Sequence, residues 1–273
     1  MPRKKPGAQN STNTLMRDPR ALVLLALSVA ITLVVMLLGP VAQDASYHRF
    51  VDHREAAGIP NAWNVLSNLP FVFVGLSGLL YVVHLWRNGA DLLVWPYLVT
   101  FTGVLLTGFG SAWYHLAPGN ESLFWDRLPM TIGFMGFFSS VIGELVSRRL
   151  AYLLLGPLLL VGTGSVFYWL ITERLGAGDL RPYALVQFLP LLLMPLILAF
   201  YPRPRHYSPY IVALFGCYVL SKGFELWDAP IFSLGGLIGG HALKHLAAAA
   251  GLACLLPMLH TRYHKVYRNS SKH

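Results

Sequence analysis

The sequence predicts an all-α polytopic transmembrane helical bundle, a seven-helix core with one extra helix before it. Three observations lead there. The 273 residues are 55% hydrophobic and only 12% charged, where a soluble domain carries about a quarter charged residues. The apolar residues gather into eight runs near the roughly 20 residues that span a bilayer. None of these runs alternates polar and apolar as the strands of a membrane barrel do over about ten positions, and backbone polar groups in lipid must be satisfied inside the segment, so helix is the default.

Taken in order, residues 1–20 carry Arg3, Lys4, Lys5, Arg17 and Arg20 among Asn, Ser and Thr, and read as a basic cytoplasmic tail. Residues 21–39 form an uncharged apolar run. A signal peptide has the same charge order but an apolar core of only about 7–15 residues, so this run reads as a membrane anchor, although the small residues near Ala42 and Ala45 would suit cleavage. Seven further segments lie near 63–86, 92–115, 127–146, 150–171, 183–201, 208–226 and 236–259, within a core assigned to 40–260. Residues 261–273 form a second basic tail.

Charge sets the expected orientation. Fourteen Lys and Arg fall in the tails and the loops on one side, against Arg49, Arg54, Arg127, Arg174 and Arg181 on the other. The side poor in basic residues holds Asp44, Asp52, Glu55, Glu121, Asp126, Glu173, Asp179, Glu225 and Asp228. The positive-inside rule then places both termini in the cytoplasm, for a multi-pass protein of a bacterial inner membrane with its acidic side toward the periplasm. The net charge of +9 is spread between apolar runs and forms no stripe, which argues against nucleic acid as a partner and for a bilayer. Cys217 and Cys254 lie in apolar segments, so any metal falls to His and carboxylates.

Ionisable groups inside a membrane are costly and mark function by default. Ser111 and His115, four apart, close the third span; His241 and His245, four apart, open the last; Asp126 opens the fourth. Residues at i and i+4 share a helix face, and the charge-derived topology puts all five at one depth. A lone intramembrane His is ordinarily a packing residue. Two such pairs with an Asp point instead to a metal. A catalytic zinc takes three protein ligands and leaves a position for water, whose pKa it lowers to about 7; Asp126 suits a general base and acid, and Ser111 a donor to the carbonyl oxygen. A bis-imidazole haem would need two ligands and leave Ser111 and Asp126 idle. His260 and His264 repeat the spacing among Arg262, Lys265 and Arg268, where cations oppose a metal. His84 reads as interfacial, and Lys244 as facing a lipid headgroup or a carboxylate such as Glu225.

At these residues the chain resembles a known family. Gly110-Ser111-Ala112-Trp113-Tyr114-His115, Asp126-Arg127-Leu128-Pro129-Met130 and Gly240-His241-Ala242-Leu243-Lys244-His245, with Trp63-Asn64-Val65-Leu66-Ser67-Asn68, look like the signature motifs of alkaline ceramidases, in particular the bacterial ceramidase-like branch of the seven-helix membrane hydrolases. The resemblance covers about 50–260. It implies zinc on His115, His241 and His245, with Ser111 and Asp126 assisting hydrolysis of the amide of ceramide or a related N-acyl lipid. Eukaryotic members also hold calcium with an acidic cluster before the first core helix. Here Asn61 replaces the last Glu and only Asp52 and Glu55 remain upstream, too few for the about six to eight oxygens calcium takes. Two other classes stay open: a lipid-binding or receptor-like protein on the same scaffold, and a transporter or haem-carrying redox protein.

Overall fold

The computed structural model describes residues 18–202 and 207–270. All the long elements are helices: α1 (Pro19–Leu37), α2 (Ala62–Leu66), α3 (Leu69–Arg87), α4 (Val94–Leu116), α5 (Asn120–Leu145), α6 (Arg148–Arg174), α7 (Arg181–Phe200), α8 (Ser208–Leu226), the short α9 (Asp228–Ser233), α10 (Gly240–Ala253) and α11 (Leu255–Ser270). Among the described residues no strand forms, and seven spans are long and apolar enough to cross a membrane. The protein is an all-α, multi-pass membrane bundle. The α8 segment, expected as an eighth span, is a 19-residue helix; Lys222 and Glu225 in its last turns leave it outside those seven.

Several boundaries differ from expectation for local reasons. The fourth span starts at Asn120 and not near 127, because Glu121 sits in the first turn, where a negative charge suits the helix N-terminus, and the Ser122 hydroxyl ties that turn back to the preceding loop by donating to the carbonyls of Ala117 and Gly119. Asp126 therefore lies nearly two turns inside α5 and does not open it. The first core span is broken after Leu66, with Pro70 restarting α3. The last span breaks at Cys254, and α11 then continues to Ser270, so much of the expected tail from 261 is helical. The first seventeen residues, Arg203, Arg205 and Lys272 lie outside the described residues, and so does the His264 side chain.

The packing follows the small residues. α4 lies between α3 and α5, and a Cβ added to Gly103 would stand 2.2 Å from the backbone nitrogen of Gly133. One added to Gly110 would stand 2.0 Å from the carbonyl oxygen of Trp125. Small residues let helix backbones approach this closely in lipid, and here the approach sets the end of α4 that carries Ser111 and His115 against Asp126 of α5. α10 packs on α8, with Gly240 so close that a Cβ would meet the Phe224 carbonyl at 2.2 Å. The outward surface is apolar: Leu80, Leu160, Val161, Val212 and Val219 are each more than 60% exposed, the inverse of a water-soluble exterior. α1 buries none of its residues and leans mainly on α7; Arg20 donates to the Phe200 carbonyl at one end and Arg181 to that of Leu38 at the other.

α7 and α8 pack on different partners, α7 on α1, α5 and α6, α8 on α9, α10 and α11. Both line the interior, where the Tyr218 side chain of α8 makes a polar contact with Gln187 of α7. At the histidine end Arg174 of α6 is tied to Glu121 of α5 by an ion pair at 2.5 Å, and Arg181 at the start of α7 pairs locally with Asp179 at 2.8 Å; the Arg181 guanidinium holds the Asp179 carboxyl down at about 2. At the opposite end Arg262 of α11 pairs with Glu144 of α5.

Candidate metal centre

His115 reaches the site from the last turn of α4, and His241 and His245 from the first two turns of α10. All three are buried, at 1%, 7% and 5% exposure. Their rings form a near-equilateral triangle, with centroids 4.9, 5.0 and 5.0 Å apart. One nitrogen from each lies within 4.8 Å of the others, so the group can hold a metal ion. The Nε2 atoms of His115 and His241 are 3.4 Å apart. Two nitrogens at about 2.0–2.1 Å from a tetrahedral centre stand about 3.3–3.4 Å apart, so the separation of this pair is the one a four-coordinate ion takes.

The hydrogen bonds behind the rings support that use. Ser67 donates its hydroxyl to the Asn64 carbonyl at 3.1 Å. Its oxygen is then free to accept from His245, whose Nδ1 stands 2.8 Å away; with Nδ1 as the donor in that pair, the Nε2 lone pair is left for the triangle. Asp228 caps α10: its Oδ1 accepts from the His241 backbone N–H at 2.8 Å, while Oδ2 accepts from Val51 at 3.3 Å. The second bond draws in the segment before α2, and Phe50 stands over the triangle with its ring 4.6 Å from His115 and 4.5 Å from His241. Asn61 donates to the His115 carbonyl at 2.9 Å; it holds a left-handed backbone (φ 47°), which Asn tolerates better than most residues. The Nδ1 of His115 is buried with no hydrogen-bond partner among the described residues.

Ser111 lies one turn behind His115, 3% exposed, with its hydroxyl in polar contact with the Asp126 carboxylate. The structure thus brings together all five residues singled out in the sequence. Ser111, Asp126 and His245 share the wall of a cavity of about 350 Å³. Tyr47, Arg127, Lys222, Glu225 and Lys244 also line it, together with apolar side chains such as Val104, Phe134, Phe137, Met194 and Leu252. The α5 wall from Asp126 to Phe137 covers eleven residues, roughly 16 Å at about 1.5 Å each. Lys244 donates to Glu225 at 2.6 Å, which gives it the carboxylate partner weighed in the sequence.

His260 and His84 sit apart from this group, whereas His48 faces the Tyr114 hydroxyl at 3.0 Å beside it. His260 faces the Tyr81 hydroxyl at 3.2 Å at the opposite end, and His84 is near Asn88. A calcium site before α2 does not fit. Asp52 is 2% exposed and forms a two-pronged pair with Arg54, at 2.8 and 2.7 Å, and the guanidinium holds its carboxyl below the usual range. Arg54 supplies there the positive charge that a cation would bring, and Glu55 is exposed.

Sequence reasoning missed the supporting residues Phe50, Ser67 and Asp228. Ser67 had a signal in its spacing from Asn64, which puts its hydroxyl over the preceding turn; Phe50 and Asp228 lie in irregular segments with none. No protein-family model matches the chain, and no curated protein matches it significantly.

Proposed function

We propose that the protein is a zinc-dependent intramembrane hydrolase that cleaves the amide of a long-chain lipid, ceramide or a related N-acyl lipid. The observation that carries the proposal is the convergence of three buried imidazoles at metal-binding separation beside a Ser–Asp pair, at the head of an apolar cavity. His115, His241 and His245 would hold the ion, leaving a fourth position toward the cavity. Zinc in such a three-histidine site supplies a Lewis acid that makes a water at the open position a nucleophile near neutral pH.

The chain's own residues do the rest. Asp126, set into α5 by the Gly110–Trp125 contact, takes a proton from the attacking water as its oxygen bonds to the amide carbon. It returns that proton to the leaving nitrogen as the carbon–nitrogen bond breaks, giving a fatty acid and an amine. Ser111 holds Asp126 before substrate arrives and turns its hydroxyl to the carbonyl oxygen as negative charge develops there. Phe50 and the buried rings exclude bulk water. The apolar wall takes the acyl chain.

By charge asymmetry the site faces the periplasmic side, with both termini cytoplasmic. The competing reading is a lipid-binding or receptor-like protein with the same cavity and no turnover. Mass-spectrometric screening of long-chain lipid amides with purified wild type and His241→Ala separates the two. Amide loss with release of fatty acid by wild type alone supports the hydrolase. Lipid retained intact by a zinc-loaded protein supports the carrier.

A further inference from the structure

The cavity beside the metal centre carries an excess of positive charge, and one of its cations, Arg127, acts on Asp126 only at a distance and forms no ion pair among the described residues. Arg127 is 6% exposed. Its Nη2 donates to the Gln43 side-chain oxygen at 2.6 Å, and its guanidinium carbon lies 4.3 and 4.7 Å from the ring centres of Trp169 and Tyr183. Nη1 is buried without a hydrogen-bond partner among the described residues. Aromatic faces hold and orient a guanidinium, but they give no acceptor to an in-plane N–H. A planar fork of this kind is the group that recognises carboxylate or phosphate.

Lys244 also approaches Tyr47, whose ring centre is 5.7 Å from the Arg127 guanidinium carbon and 6.0 Å from Lys244 Nζ. Lys244 and Lys222 share one carboxylate, Glu225, at 2.6 and 2.7 Å. The wall thus sets Arg127, Lys222 and Lys244 against Glu225 and Asp126, which leaves one positive charge uncompensated when both carboxylates are ionised. Buried charge without a partner is costly. A ligand anion placed between Arg127 and Lys244 removes that cost.

We infer that the cavity is built for a long-chain amide with an anionic headgroup: the acyl chain along the apolar wall, and a carboxylate, phosphate or sulfonate a few bonds from the amide, between Arg127 and Lys244 beneath Tyr47. The amide part rests on the proposed hydrolysis; the anion subsite rests on Arg127 and the two lysines alone. A neutral headgroup such as that of ceramide leaves Arg127 Nη1 unpaired. The fatty acid released by hydrolysis is a second source of the same anion, and the test distinguishes the two.

The experiment uses the full chain in a neutral detergent and reads binding apart from turnover. Titration calorimetry compares a long-chain alkylphosphonate with the alcohol of equal chain length. Hydrolysis compares an N-acylglycine with the matching N-acylethanolamine. Wild type is expected to bind the phosphonate roughly 10–100-fold more tightly than the alcohol, the range for a charge-assisted hydrogen bond. Arg127→Gln should lose most of that margin, and should narrow the preference for N-acylglycine by a similar factor. Arg127→Lys should retain part of it.

Equal binding of phosphonate and alcohol by folded wild type overturns the inference, even if amides are cleaved. Equal cleavage of the two amides, with Arg127→Gln slowing both alike, assigns the subsite to the released fatty acid and also overturns it. Tight phosphonate binding without cleavage of any amide sustains the anion subsite and removes the hydrolase reading.

Discussion

Replacing Ser67 by Ala tests whether the hydrogen bonds behind the imidazoles tune the metal site. The Ser67 hydroxyl is 2.8 Å from His245 Nδ1 and 3.1 Å from the Asn64 carbonyl, and Ser67 and His245 are 7% and 5% exposed. Without a metal, His245 can answer the loss by changing tautomer. With Nε2 committed to a metal, Nδ1–H has no other acceptor, so the penalty falls on the loaded state. A buried donor left unpaired costs about 1–3 kcal/mol, and at 1.4 kcal/mol per tenfold this is roughly a 5–150-fold loss of affinity. Partners behind metal-bound histidines contribute about 10–100-fold by mutation, which overlaps that range. Competition of the purified protein with graded zinc chelators measures it. Ser67→Ala with wild-type affinity would refute the reasoning. Complete loss of metal, as expected for His245→Ala, would show Ser67 to be structural and not a tuning group.

Asp126→Asn is expected to keep its metal and lose about 10²–10⁴-fold in turnover, the usual contribution of a general acid–base group; Ser111→Ala should likewise keep the metal and lose turnover. Metal analysis beside hydrolysis assays decides: a stripped Asp126→Asn makes Asp126 a ligand, and an unimpaired one removes it from the chemistry. Gly103→Ala drives a Cβ to within 2.2 Å of the Gly133 backbone and should cost about 1–3 kcal/mol as overpacking. Gly164→Ala, with nothing within 4 Å of the added Cβ, should be neutral or slightly stabilising, as helical Gly→Ala gains about 0.5–1 kcal/mol. Thermal unfolding in detergent compares them, and equal melting temperatures would contradict the packing account. Single cysteines near Glu121 should react with an impermeant thiol reagent from the periplasmic side; reaction from the cytoplasm alone would invert the topology.

Much of this molecule was legible before any coordinates. The spans follow from hydropathy, since lipid leaves the backbone little choice but helix. The grouping of Ser111, His115, Asp126, His241 and His245 followed from two i,i+4 pairs and one loop-derived depth. What escaped was set by tertiary approach. The contact of Gly103 with Gly133 gives no periodic signal, yet it determines how closely α4 meets α5. The start of α5 was misplaced because Asn120, Glu121 and Ser122 look like loop by hydropathy, while their side chains are what a first helical turn uses. Phe50 and Asp228 act from irregular chain, where residue type alone does not say which way a side chain turns. The lone pairing of Arg54 with Asp52 also needed coordinates, because an acid before a transmembrane helix fits a calcium ligand as readily as an ion-pair partner.

The central claim is a zinc ion on His115, His241 and His245, and the most direct measurement is metal content with X-ray absorption at the zinc edge. Protein purified without chelator is expected to carry about one zinc per chain, bound by three imidazole nitrogens at about 2.0–2.1 Å. His115→Ala, His241→Ala and His245→Ala should each lose that signal together with amide hydrolysis. A folded wild-type protein that cleaves lipid amides with no metal, or that keeps its zinc when these histidines are replaced, would contradict the account.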